Sequence, residues 1–226
     1  MVRLVLFDID GTLIASGGAG EKAFARVCAM EFKVPNGTEG IQFAGRTDVA
    51  IVREFFTKYG IEPSQQNFQR FFDSYVFWLD HLLEQLAGKV LPGVDRWLQD
   101  LSELRQPPLM GLLTGNVRLG AQIKLSHFKL WDHFRMGGFG DDNEDRNEIA
   151  RIARDRGSDM LKRKLKGEEI LVIGDTPLDI ACGNAIEAKV LAVGTGKFTA
   201  HDLQKHKPAW AVGNLREIEV RDIWGA

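Results

Sequence analysis

Met1-Val-Arg-Leu4-Val-Leu-Phe7-Asp8-Ile-Asp10-Gly11-Thr-Leu13 is the stretch that decides the fold of this chain. The run Leu4 to Phe7 has the length and residue bias of a strand buried on both faces. It stops in two carboxylates separated by one residue, followed by Gly11 and Thr12. Carboxylates at the mouth of a buried strand are costly unless a cation or hydrogen bonds compensate them. The pattern points to a metal site with a nucleophile, and so to an enzyme.

Further strand-like runs finish in polar residues. Leu109 to Leu113 leads into Thr114-Gly115-Asn116, and Glu169 to Ile173 into Gly174-Asp175-Thr176-Pro177. Lys189 to Val193 leads into Gly194-Thr195-Gly196, Ala209 to Val212 into Gly213-Asn214, and a shorter candidate is Phe134 to Gly137. Helical periodicity lies between them: Leu119, Ile123 and Phe128, then Ile149, Ile152 and Ala153, then Ile180, Ala181 and Ile186. Strands alternating with helices predict an α/β fold, a parallel sheet with helices on both faces. Chemistry in such sheets sits at the carboxyl ends of the strands, near the point where strand order reverses. Asp8, Thr114 and Asp175 all fall at such ends.

One connection is too long. About 95 residues separate Leu13 from Leu109, whereas a crossover with one helix needs a few tens. Ala23, Val27 and Met30 recur at helical spacing, as do Val49, Val52, Phe55, Phe56 and Tyr59. A longer stripe is Phe68, Phe71, Phe72, Tyr75, Leu79, Leu82, Leu83 and Leu86. Such a stripe reads as the core of a helical bundle. The chain therefore divides into an α/β core, residues 1–15 and 90–226, and an inserted helical domain over 16–89. Gly17-Gly18-Ala19-Gly20 and the turn at Leu91-Pro92-Gly93 are its expected hinges.

Composition narrows the class. The 226 residues carry 29 Lys and Arg against 31 Asp and Glu, a formal net charge of −2, which gives no basic footprint for nucleic acid. Lys162-Arg163-Lys164-Leu165-Lys166 reads as a solvated helix end, and the acidic run Asp141 to Asp145 as a solvated loop. The two cysteines, Cys28 and Cys182, imply no disulfide framework and read as buried thiols. The first apolar stretch is short and broken by Asp8, unlike a signal peptide. No segment reaches the roughly 20 apolar residues of a membrane span. A cytoplasmic enzyme without nucleic-acid or membrane partners is expected, as monomer or homodimer.

Asp8-Ile-Asp10-Gly11-Thr12-Leu13, Thr114 after a strand, and Gly174-Asp175-Thr176-Pro177-Leu178-Asp179 occur in that order. Together they resemble the haloacid dehalogenase (HAD)-like hydrolase superfamily, in its phosphoglycolate phosphatase-like branch with a helical C1 cap. The resemblance covers nearly the whole chain and implies a Rossmann-like core with an α-helical cap. It implies a phosphatase acting on a small phosphorylated metabolite through an aspartyl-phosphate. Asp8 matches the nucleophile, and Asp10 the general acid and base. Gly11 matches the turn off the sheet. Thr114 matches the hydroxyl that binds a phosphoryl oxygen, with Gly115 and Asn116 as helpers. Asp175 matches the metal-ligating acid, and Asp179 the second acid, which supports the metal through water or orients a basic residue.

Acids converging on a phosphate need positive charge, and Mg²⁺ suits hard oxygen ligands. The expected ligands are the Asp8 and Asp175 carboxylates and the Asp10 backbone carbonyl, with Asp179 as the supporting acid. The resemblance also implies a basic residue. Arg146 matches it by location, where a lysine is common in the family; Lys124 is the rival, read as structural from its apolar helical neighbours. Arg46, in Gly45-Arg46-Thr47-Asp48, is expected either to bind an anionic part of the leaving group or to pair with Asp48. Alternatives are a phosphomutase of the same fold and, from another class, a metal-dependent glycosyltransferase. A phosphonate-cleaving enzyme would need a cap lysine such as Lys22. A dehalogenase is disfavoured by the acid at position 10, and a non-catalytic binding module by the full set of acids.

Overall fold

A computed structural model describes residues 1–224. The strands are β1 (Leu4–Phe7), β2 (Ile14–Ala15), β3 (Lys89–Val90), β4 (Leu109–Leu113), β5 (Met136–Gly138), β6 (Ile170–Gly174), β7 (Lys189–Val193) and β8 (Trp210–Val212). The helices are α1 (Ala19–Met30), α2 (Asp48–Lys58), α3 (Gln65–Gln85), α4 (Val94–Glu103), α5 (Arg118–His127), α6 (Arg146–Met160), α7 (Pro177–Ala185), α8 (Ala200–Gln204) and α9 (Val220–Trp224).

Six strands form one parallel sheet in the order β5-β4-β1-β6-β7-β8. All four residues of β1 and all five of β6 are buried, as strands covered on both faces should be. Two apolar clusters fill the two faces. One holds Val5, Phe7, Trp97, Leu98, Leu112 and Leu171, and the other Leu4, Leu6, Ile149, Val172 and Val190. Strand order reverses at β1, which lies between β4 and β6.

The predicted strands β1, β4 and β7 recur with the same ends, and β5, β6 and β8 with shifted ones. β6 begins at Ile170 because Gly167–Glu169 forms a short 3₁₀ turn. β5 begins at Met136 rather than Phe134, whose N–H closes the 3₁₀ turn Trp131–His133 onto Trp131. β8 begins at Trp210. Leu119 and Met30, read as members of apolar helix faces, are 52% and 54% exposed.

The segment between β2 and β3 folds as α1, α2 and α3 around an aromatic cluster. Phe24 packs on Tyr75 with ring centroids 4.8 Å apart, and Phe55, Phe56 and Phe71 complete it. β2 and β3 pair antiparallel, Ile14 opposite Val90, so the two chain crossings run side by side. Val117, next to α5, joins the same cluster, so the three helices share apolar surface with the elements around the sheet. Gly17, Gly18 and Gly93 flank the crossings with positive φ. Among the described residues no helix is long and apolar enough to cross a membrane.

Candidate active site

The site grows from three adjacent strand ends. Phe7 lies opposite Leu112 of β4 and Ile173 of β6, so Asp8, Thr114 and Asp175 emerge at nearly one level. The Asp8 N–H donates to the Ile173 carbonyl at 2.9 Å, which carries the ladder one residue past β1. Beyond it the chain turns tightly, and Leu13 N–H donates back to the Ile9 carbonyl at 2.9 Å. Gly11 sits in this turn at φ 85°, and a Cβ there would collide with the Asp175 carboxylate. Thr12 Oγ1 donates to Asp175 Oδ1 at 3.2 Å.

Asp8, Asp175 and Asp179 are buried, with carboxylate oxygens within 4.8 Å of one another. Two such charges about 5 Å apart repel by roughly 3 kcal/mol at an effective dielectric near 20. Burial pushes the Asp8 and Asp175 carboxyls well above the usual range, and the neighbouring acids push them further. One guanidinium answers part of this. Arg146, placed at the first position of α6 by the Asp145 cap, binds Asp179 and lies 3.5 Å from Asp8 Oδ1. Burial works against its charge, yet Asp179 and Asp8 hold it above its ordinary value. Asp179 also accepts from the Thr176 N–H (2.9 Å) and hydroxyl (2.6 Å) in a capping box that opens α7. Of the two roles read for Asp179, this geometry is that of an acid that orients a basic residue.

Once ionised, three buried acids against one cation leave the cluster net negative, with hard oxygen donors within 4.8 Å of one another. That donor set fits a divalent cation of the Mg²⁺ kind. No histidine or cysteine belongs to the cluster.

On the other side of Asp8, Thr114 Oγ1 accepts from the Asn116 N–H at 3.3 Å and from Asn116 Nδ2 at 2.9 Å. With both acceptor positions used, its own proton is free to donate. Asn116 Nδ2 also reaches Asp10 Oδ2 at 2.9 Å. Lys124, read from sequence as structural, is instead buried at the site. Its Nζ donates to Asp10 Oδ2 and Asn116 Oδ1, each at 2.6 Å. The buried face of α5 is otherwise small or apolar (Gly120, Ala121, Leu125), so a lysine on that face was the available signal.

The helices close over the strand ends around a cavity of about 460 Å³. Asp10, Thr114 and Asp175 line it, together with Phe24, Phe43 and Tyr75. Arg46 lines it too, but its guanidinium pairs with Glu54 and the Gln42 carbonyl rather than with Asp48. Asp48 turns inward: its N–H donates to the Gly115 carbonyl at 2.8 Å and its carboxylate accepts from the Val117 N–H at 2.9 Å. Neither Asp48 nor Tyr75 was read as a site residue, because each reaches the site only through the packing of α2 and α3 against the strand ends. Lys22 is exposed. The acidic run is not wholly solvated, since Arg156 clamps Asp142, which also accepts from the Phe139 N–H. Cys28 and Cys182 are buried thiols, each pushed up to about 12 by burial.

The family model for haloacid dehalogenase-like hydrolases matches residues 5–193. The phosphoglycolate phosphatase of Rhodobacter capsulatus is 28% identical over 180 residues, 79% of this chain and 78% of its own. A crystal structure of a predicted phosphoglycolate phosphatase from Haemophilus somnus superposes with a TM-score of 0.74 at 18% identity, over 96% of both chains. β-Phosphoglucomutase from Clostridium difficile gives 0.74 at 15% identity, over 99% of this chain and 96% of that one. The chain belongs to the haloacid dehalogenase-like hydrolase family, in its phosphoglycolate phosphatase-like branch. It is an enzyme of the phosphatase type, and nothing supports the glycosyltransferase alternative.

Proposed function

We propose that this enzyme hydrolyses a small phosphate monoester, of the phosphoglycolate kind, through a phosphoryl group carried on Asp8. The carrying observation is the convergence of Asp8, Thr114 and Asp175 at one level, with Arg146 against Asp8 and Asp10 over the same cavity. Asp8 Oδ is the nucleophile toward phosphorus, which splits one displacement into two easier ones. The Thr114 hydroxyl proton and neighbouring backbone N–H groups hold the phosphoryl oxygens. Asp10 gives its proton to the departing alkoxide and then takes one from the attacking water. Arg146 neutralises Asp8 and Asp179 and keeps both oriented.

Mg²⁺ would be held by the Asp8 and Asp175 carboxylates and the Asp10 carbonyl, while Asp179 holds Arg146 beside Asp8. When bound it supplies charge stabilisation to the transferring phosphoryl group. A cavity of about 460 Å³ under a helical roof suits small metabolites rather than phosphoproteins. The helical segment 16–89 acts as the cap in this reading, and Arg46 is a recognition residue for an anionic leaving group once released from Glu54.

The test is phosphate release from a panel of sugar phosphates, phosphoglycolate, nucleotides and pyrophosphate, with and without EDTA. Orthophosphate release that requires Mg²⁺ and is lost in Asp8→Asn supports the proposal. Unchanged release by Asp8→Asn removes it. Transfer of the phosphoryl group to a second position of a sugar phosphate, without orthophosphate, would favour a mutase.

A further inference from the structure

We propose that Lys124, through Asn116, is the positioning residue for the acid–base carboxylate of Asp10; this rests on the phosphatase reading above. Lys124 stands on α5, and its side chain is only 4% exposed. A buried ammonium is costly unless fully paired. It is paired here with Asp10 Oδ2 and Asn116 Oδ1, both at 2.6 Å. Because an ammonium only donates, it fixes the amide of Asn116 with oxygen toward Lys124 and nitrogen toward Asp10. The Asn116 Nδ2 then donates to the same Asp10 Oδ2 at 2.9 Å and to Thr114 Oγ1 at 2.9 Å.

The Asp10 side chain is 40% exposed, and without such anchors its carboxylate would rotate among several orientations. Two donors on one oxygen fix the carboxylate plane and leave Oδ1 as the oxygen that exchanges a proton with the leaving group. Two cations of the site therefore divide the work on its acids. Arg146 answers Asp8 and Asp179, whereas Lys124 answers Asp10. Lys124 also ties Asp10, from the β1 turn, to the phosphate-binding hydroxyl after β4. One hydrogen-bond chain thus places the proton-delivering carboxylate beside that hydroxyl.

Leaving-group dependence separates positioning from a merely structural role. An alkyl phosphate such as β-glycerophosphate needs a proton on its departing oxygen, whereas p-nitrophenyl phosphate hardly does. The ratio kcat/KM covers the steps up to departure of that group. Lys124→Met is expected to lower kcat/KM about 30-fold for the alkyl ester and less than about 3-fold for the nitrophenyl ester, short of the roughly 10²–10⁴-fold contribution of a general acid because Asp10 itself remains. Lys124→Gln keeps an N–H donor without the charge and should fall between; it carries the same test should the methionine variant not fold. Equal losses on both esters, or no loss on either, overturn the proposal. If the unmodified enzyme releases phosphate from no ester, the phosphatase reading falls, and the proposal with it.

Discussion

Asp48 belongs to α2, yet its carboxylate is spent on the core, accepting the Val117 N–H at the start of α5. Burial pushes its carboxyl up from 3.8 to about 6; Lys124 and the Val117 N–H oppose this, while Asp10 and Asp141 add to it. A raised value in the fold means that the neutral form is favoured there. Its stabilisation is complete below the ordinary value of 3.8 and is lost as pH rises through about 6. A shift of about two units corresponds to about 3 kcal/mol. Asp48→Asn keeps an acceptor for Val117 and has no charge to bury. The variant's unfolding free energy should therefore gain on that of the unmodified protein by up to about 3 kcal/mol between pH 4 and pH 7.5. Urea denaturation at the two pH values measures this, and parallel behaviour would refute the burial argument. The sequence shows Asp8, Asp10 and Asp175 because each ends a buried strand, a local signal. It does not show Asp48, whose neighbours come from other elements, and it leaves Lys124 as a rival to Arg146 read as structural. Arg46 illustrates the trap: Asp48 is two residues away in sequence, yet Glu54 on the next turns of α2 takes the guanidinium.

At the scale of elements, the first turn of α2 and the loop after β4 meet through backbone. A Cβ on Gly115 would run into the Arg46 carbonyl, and the Gly115 carbonyl receives the Asp48 N–H at 2.8 Å. Thr47 Oγ1 adds a bond to the Glu144 carbonyl at 3.1 Å. Gly115→Ala should therefore unseat the loop that leads into α2 without disturbing the sheet. We expect kcat/KM to fall by about 10-fold or more, the usual cost of misplacing a site by an ångström or less. Circular dichroism and steady-state kinetics together check this; full activity in Gly115→Ala would show that the loops need not touch. Element type was legible wherever an apolar run or helical stripe was long. The short β5 slipped by two residues because Phe134 closes a 3₁₀ turn before the strand starts, and no periodicity marks that boundary.

For the whole molecule, the sheet brings acids together faster than protein cations can neutralise them. Asp8 and Asp175 are both held above their ordinary range, first by burial and then by neighbouring acids. At neutral pH the metal-free site therefore holds protons that the proposed Mg²⁺ would have to displace, and affinity for that ion should rise with pH until those carboxyls have ionised. Titration calorimetry in two buffers of different ionisation enthalpy should show net proton release on binding. Binding with no proton exchange between pH 6 and pH 8 would contradict the account. The fold class follows from alternation of strands and helices along the chain. The cavity arises only where α1, α2 and α3 pack against the strand ends, a long-range property that no window of sequence contains.

The most direct measurement is rapid acid quench of the enzyme turning over p-nitrophenyl phosphate with Mg²⁺, followed by peptide mass spectrometry. The account predicts a phosphoryl group on the peptide bearing Asp8, absent from Asp8→Asn. A phosphoryl group on another residue, or turnover with none on the chain, would contradict it.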